Sequence, residues 1–340
     1  MELCLSLDDV LLVPKFNPIS SRLDTDLRTR LTKEIYIEIP ILSASMDTVT
    51  GFEMASKMAE LGGAGFLHRF APDEEIVNWV RELVCRKQIA VPSIGIREDI
   101  GRWVGLLLEI GASAISIDIA HGHSLSVLKT VELLVDLFPE IQLIGGNVAT
   151  AEGTRDLINA GVSAVKINIG PGSHCTTRLV TGFGIPTFTA ACNCAQEARK
   201  HDIPIIADGG MKVSGDFVKY LAIGAESCMT GFLLAASEEA PGEIIKVGSN
   251  LYKSYRGLAS IEAQEAFKGG LRKGTAAEGE ATVVPYKGPV EPIIEGICGG
   301  IRSGLTYCGA RNLQELREKA EFIRITHSGM IEGTPHGVSK

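Results

Sequence analysis

Apolar positions along the chain fall into eight short runs, most of them ending in Gly, Asp, Asn or His. They are "IPILSASMD" (39–47), "GAGFLH" (63–68), "AVPSIG" (90–95), "AISIDIA" (114–120), "QLIGGNV" (142–148), "AVKINIG" (164–170), "IPIIADGG" (203–210) and "ESCMTG" (226–231). Near-continuous hydrophobic runs of this length suit parallel strands covered on both faces. Most are separated by stretches of helical periodicity, such as "TGFEMASKMAEL", "DEEIVNWVRELVCRK" and "HSLSVLKTVELLVDLF". Asp73, followed by Ile76 and Val80, opens one of these helices. Eight strand–helix units at this spacing predict a (β/α)₈ barrel. A doubly wound sheet is the alternative, but it seldom needs eight evenly spaced units.

Two stretches stand outside the repeat. Residues 1–38 mix acidic and apolar positions and suit an arm that caps the barrel bottom or contacts a partner. Residues 246–309 are glycine-rich, with "YRGLAS", "KGGLRKGTAAEGE" and "VPYKGPV". They follow strand eight and precede or interrupt the last helix. A long insertion on a catalytic face is usually a lid or a ligand clamp. The expected organisation is one barrel domain over 1–340 with this lid within it.

Composition narrows the function classes. Of 340 residues, 45% are apolar, enough for a sizeable core, and the 38 glycines sit mostly at the ends of apolar runs. The net charge is −8 and no basic stripe with interleaved aromatics occurs, which argues against general nucleic-acid binding. A phosphate-bearing small ligand remains compatible, because backbone amides can hold it. None of the eight cysteines forms a CxxC pair, and "CNC" at Cys192–Cys194 has the wrong spacing for a zinc knuckle. With no signal peptide or membrane-length apolar stretch, they read as reduced thiols of a soluble cytoplasmic protein without a membrane partner.

The barrel reading places function on the loops after the strands. After strand six comes "GPGSHCTTRLVTG" (170–182), a thiol among glycines. A free cysteine is usually a small buried hydrophobe, and the other seven read that way. Cys175 differs: it lies beyond a strand end, among backbone N–H groups and three residues before Arg178, features that favour a nucleophilic thiolate. Thr176 and Thr177 are turn residues or proton relays. Inward carbonyls of the Gly-Pro-Gly turn suit a monovalent cation. Asp208, before Gly-Gly, suits a ribose diol, and the glycines after strands seven and eight suit a phosphate. Asp118 ends strand four, and with His121 and His123 gives a weak metal pattern. Glu278 is an ordinary solvated carboxylate unless the lid folds over the mouth.

The loop "GPGSHCTTRLVTGFGIP" resembles the active-site loop of the IMP dehydrogenase/GMP reductase family. So do "SLDDVLLVP", "MDTVTGFEMA", "GGNVAT", "PIIADGG", "EAPGE" and "VPYKGPV…GGIRSG", in order over nearly the whole chain. The resemblance implies a (β/α)₈ barrel acting at purine C2 of a nucleotide monophosphate, with Cys175 forming a covalent thioimidate. It implies a potassium ion at Gly170, Gly172, Cys175 and Arg178. Substrate contacts are implied at Met46, Asp208, Gly209, Gly210, Gly231, Phe232, Gly257 and Leu258. For the cofactor it implies Asp118, Ile119, Ala120, Ser303 and Gly304, with Ser21 and Arg22 reaching a neighbouring subunit's cofactor in a tetramer or larger homo-oligomer.

Within that family the resemblance favours the reductase: NADPH-dependent conversion of GMP to IMP and ammonia, with Thr177 and Glu278 passing a proton to the leaving amine. "HRFAPDEEI" runs directly into one helix, without the inserted regulatory pair usual in the dehydrogenase. Between Ser260 and Glu278 there is no Arg-Tyr pair to activate water. "LRKGTAAEGE", "IDIAHGHS" and "FIRIT" look like reductases, whereas "YRGLAS" and "EAPGE" look like the dehydrogenase. Asn168 stands where the family usually has glycine, and Thr275 where reductases usually have arginine. The rivals are a minimal IMP dehydrogenase, a reductase of a related purine nucleotide, and a barrel that has lost catalysis and acts as a sensor.

Overall fold

The computed structural model describes residues 3–335; residues 1, 2 and 336–340 of the expected 1–340 domain lie outside the described residues. Each of the eight apolar runs contains one strand: β1 Ile41–Ser43, β2 Ala64–Leu67, β3 Val91–Ile94, β4 Ile115–Ile117, β5 Leu143–Val148, β6 Ala164–Ile167, β7 Ile205–Asp208 and β8 Ser227–Thr230. All pair in parallel with their sequence neighbours, and β8 returns to β1 through Cys228↔Ile41, closing the barrel. The protein is a (β/α)₈ barrel.

The helices follow the capping chemistry of the sequence. They are α1 Phe52–Glu60, α2 Asp73–Cys85, α3 Ile100–Glu109, α4 Leu125–Leu137, α5 Ala151–Ala160, the short α6 Thr177–Thr181, α7 Thr187–Arg199 and α8 Ser214–Ile223. Ser124 caps α4 by accepting the Val127 N–H, and Thr150 caps α5 by accepting the Gly153 N–H. The α5 helix stops at Gly161, whose φ of +111° is accessible to glycine and strained for most other residues.

Two buried clusters hold the barrel. One lies between sheet and helices; the other fills the lumen with Leu42, Phe66, Val91, Ile144, Ile206 and Met229. Leu31 and Ile37 belong to the lumen cluster although they precede β1. The N-terminal arm is therefore a bottom cap: Lys33 N–H donates to the Ser163 carbonyl, Thr29 Oγ1 to the Glu226 carbonyl and Thr32 Oγ1 to Gln142 Oε1. All three acceptors lie just before barrel strands.

After β8 and the turn α9 Phe232–Ala235, the chain builds an antiparallel sheet of β9 Ile244–Val247, β10 Asn250–Arg256 and β11 Ala281–Pro285. Helix α10 Ile261–Lys268 lies between β10 and β11, capped by Ser260 accepting the Ala263 N–H. These elements form a flap over 244–285, which ends earlier than the expected 246–309 lid because residues 291–308 return to the barrel wall. Helix α11 Glu291–Cys308 then packs along α8 as a barrel helix.

Candidate active site

The barrel mouth opens into a cavity of about 400 Å³, within the usual range for a small-molecule site. Its walls come from the loops after β1 (Met46), β4 (Asp118, Ile119, Ala120), β6 (Gly170, Gly172, Cys175, Thr177) and β7 (Asp208, Gly209), and from the flap (Gly257, Leu258, Glu278). Thirteen of the residues expected from the sequence thus share one cavity.

Cys175 is half-buried, with its thiol 3.1 Å from Thr177 Oγ1 and its N–H donating to the Gly172 carbonyl. Burial pushes the thiols of Cys192, Cys194 and Cys298 up to about 11, and those of Cys228 and Cys308 upward as well, which fits inert packing residues. Arg178 does not face the thiol. Its guanidinium donates to the carbonyls of Ile169 (3.1 Å) and Ile185 (2.7 Å), tying the two ends of the loop together. The potassium expectation fits this loop poorly. The Arg178 guanidinium already stands beside Gly170, its Nε 3.1 Å from where a Cβ would be, and the Gly172 carbonyl accepts the Cys175 N–H.

The flap reaches the thiol through its backbone. Thr176 N–H donates to the Glu278 carbonyl and Glu280 N–H to the His174 carbonyl, both at 3.0 Å. On its other side the same segment bonds to the turn after β10: Glu278 N–H to the Ala259 carbonyl and Gly257 N–H to the Glu280 carbonyl. Two glycines permit this layering, since a Cβ on Gly257 or on Gly279 would lie 3.3 Å from the other's Cα.

At the base of the cavity lies a charge network the sequence reading missed. Lys166 Nζ is 2.8 Å from Asp118 Oδ1 and 3.4 Å from Asp208 Oδ2. Burial alone would lower the Lys166 ammonium, but the two carboxylates more than reverse this and raise it. Burial alone would raise Asp118, and Lys166 with Arg69 holds it below the ordinary carboxylate range. A bulge in β5 between Gly146 and Val148 interrupts the ladder at Asn147, whose Nδ2 donates to Asp208 Oδ2 at 2.9 Å. The signal for this network was a lysine inside an otherwise apolar strand, "AVKINIG", because a buried charge needs partners.

Asn168 has φ +89°, which explains why glycine suits this position. It is buried, and its Nδ2 donates to Tyr220 Oη at 3.0 Å and to the Asp208 carbonyl at 3.3 Å.

Several expected residues lie beside the cavity. Gly210 packs against Pro171 and Thr187. A Cβ on Gly231 would sit 2.8 Å from Met46 Sδ and 3.2 Å from Tyr255 Oη, so the wall there closes tightly. Phe232 stacks near His174 with centroids 6.4 Å apart. Others are not brought to it. Ser303 and Gly304 are on α11, where Gly304 lets Val218 of α8 approach. Ser21 caps the turn at Arg22–Asp24. His123 pairs with Asp156 at 2.9 Å rather than with Asp118.

The residues present fit a nucleotide: a carboxylate fixed by Asn147 and Lys166, left-handed Gly209 and Gly210 after it, and a thiol on the neighbouring loop after β6. Among the described residues no helix is long and apolar enough to cross a membrane.

The family model for the IMP dehydrogenase / GMP reductase domain matches residues 4–336. An inosine-5'-monophosphate dehydrogenase of Nitrosopumilus maritimus is 34% identical over 467 aligned positions, covering 98% of each chain. One from Aquifex aeolicus is 34% identical, covering 98% of this chain and 95% of that one. One from Cryptosporidium parvum is 36% identical over 384 positions, covering 98% of this chain and 95% of that one. These names overturn the reductase expectation: relatives spanning almost the whole chain are dehydrogenases, and none of these is named a reductase. The missing insertion had weighed towards the reductase, but the Cryptosporidium alignment shows that a chain of that name can carry little beyond this chain's length.

Proposed function

Because the chain belongs to the IMP dehydrogenase/GMP reductase family, we propose that this oxidoreductase converts IMP to XMP with NAD⁺. The observation that carries the reading is the joint placement of Cys175, Thr177 and Glu278 in one cavity with the Asp208 carboxylate, in a chain whose near full-length relatives are named IMP dehydrogenases.

The net reaction is IMP + NAD⁺ + H₂O → XMP + NADH + H⁺. Cys175 Sγ adds to purine C2, so a carbon–sulfur bond forms while the hydrogen at C2 leaves with its electron pair. Asp118, Ile119 and Ala120 would hold the nicotinamide, which when bound would supply the hydride acceptor. Water then attacks C2 of the thioimidate and the thiolate leaves, releasing XMP. The water must lose a proton in that step. In this reading Thr177 Oγ1, 3.1 Å from the thiol, receives it and passes it to the Glu278 carboxylate, a residue of the same cavity wall. These two residues thereby take the task of the absent Arg-Tyr pair. Asp208 orients the ribose, and the Lys166 and Asn147 bonds hold its carboxylate in place.

Purified protein is incubated with IMP and NAD⁺ while absorbance of the reduced nicotinamide is followed. Its appearance, with XMP formed in equal amount, supports the reading; no reduced nicotinamide under saturating IMP and NAD⁺ overturns it.

A further inference from the structure

One ion pair joins the barrel to the flap at the roots of two cavity walls. Arg256 closes β10, immediately before Gly257, and Asp47 follows Met46 in the loop after β1. Arg256 Nε and Nη2 both donate to Asp47 Oδ2, at 2.8 and 2.5 Å, and the Arg256 N–H donates to Thr48 Oγ1 at 3.3 Å. The carboxylate side chain is only 5% exposed. The other side of the guanidinium lies 5.4 Å from the Phe267 ring of α10, and Phe267 packs on Phe70 of the loop after β2 at 5.1 Å. One side chain thus fixes both β10 and α10 to the barrel mouth.

The pair is poorly built for stability alone. Asp47 Oδ1 is buried without a protein partner, so half of the carboxylate's acceptor capacity is unsatisfied. A buried ion pair of this kind is weak evidence for stability, and its best-attested use is to fix register. Register is what matters here. From Gly257 and Ala259 the backbone bonds pass directly to 278–280, and from there to His174 and Thr176 flanking the thiol.

We propose that the Asp47–Arg256 pair is a positioning latch that sets the flap over the Cys175 loop and so fixes the placement of Glu278 and the shielding of the thiol. It rests on the reading of Cys175 as the reacting group. It does not depend on which purine nucleotide reacts.

The test uses Arg256→Gln, Arg256→Lys, Asp47→Asn and the double variant Asp47→Asn/Arg256→Gln in the full chain. Iodoacetamide alkylation of Cys175 is followed by peptide mass spectrometry, alongside kcat with IMP and NAD⁺ and the thermal midpoint. Arg256→Gln and Asp47→Asn are expected to speed alkylation and lower kcat, each about tenfold, as for loss of a charge-assisted hydrogen bond. Arg256→Lys should restore part of both. The double variant should be no worse than the worse single, because both substitutions break the same contact. Alkylation rates unchanged in folded Asp47→Asn and Arg256→Lys would overturn the latch, as would additive effects in the double variant. If wild type fails to oxidise IMP while the variants still speed alkylation, the proposed reaction falls and the latch stands.

Discussion

The backbone N–H of Thr176 donates to the carbonyl of Glu278 at 3.0 Å, although the two residues lie in separate insertions of the barrel. This bond places a flap carboxylate beside the thiol loop without using either side chain. Thr177 and Glu278 line the same cavity, and the bond ties the flap's backbone register to the thiol loop.

Cys175→Ala should abolish XMP formation while IMP affinity changes by less than about tenfold, since one thiol adds little to ground-state binding. Calorimetric titration with IMP and a turnover assay check both halves. Turnover above about a tenth of wild type would exclude a covalent route.

Glu278→Gln should separate the two halves of the reaction. Thiol addition and hydride loss need no base at the water position, so a first-turnover burst of reduced nicotinamide should persist. Steady-state turnover should fall by about a hundredfold, the usual worth of a positioned proton acceptor. Stopped-flow absorbance reads both phases, and a burst lost in step with steady-state turnover would remove Glu278 from the hydrolytic half.

His68 gives the protein a specific acid sensitivity. Burial lowers it from 6.5 to about 4, against an opposing pull from Asp47, and the Arg256 charge adds a smaller lowering. A histidine whose folded pKa lies below its unfolded value binds fewer protons when folded. Its neutral form therefore favours the native state fully above about pH 6.5, and that contribution is lost as pH falls towards 4. The loss is at most about 3 kcal/mol. His68→Gln, which can still accept the Phe70 N–H, should flatten urea-unfolding stability between pH 7 and pH 4.5 relative to wild type. Equal slopes in the two proteins would show that other groups carry the acid sensitivity.

Asn168 sets backbone strain against hydrogen bonding. Its left-handed backbone costs about 1 kcal/mol, and its two side-chain bonds return about that much each. Asn168→Gly removes both strain and bonds, so stability should change by no more than about 1 kcal/mol. Asn168→Ala keeps the strain and loses the bonds, and should be less stable than the glycine variant by about 1–2 kcal/mol. Equal urea midpoints for the two variants would contradict this account.

The periodic part of the architecture was legible in the chain alone. Eight strands lie within the eight apolar runs because a strand covered on both faces must be apolar at consecutive positions, and that demand is local. The glycine-flanked Cys175 loop was legible for a similar reason, since a thiol on a bendable strand-end loop is a local arrangement. Other features depended on residues distant in sequence. Lys166 becomes a site residue only when barrel closure sets β6 between β5 and β7, bringing Asp118 and Asp208 within reach of its ammonium. Leu31 and Ile37 become lumen residues only when the arm folds under the barrel. Glu278 meets the thiol loop only through the layered backbone of 257–259 and 278–280, and Arg178 turns towards carbonyls because the loop closes around it. Periodicity encodes which face of an element is buried; which charges then meet across the barrel mouth is decided by the closure of the sheet and the docking of the flap.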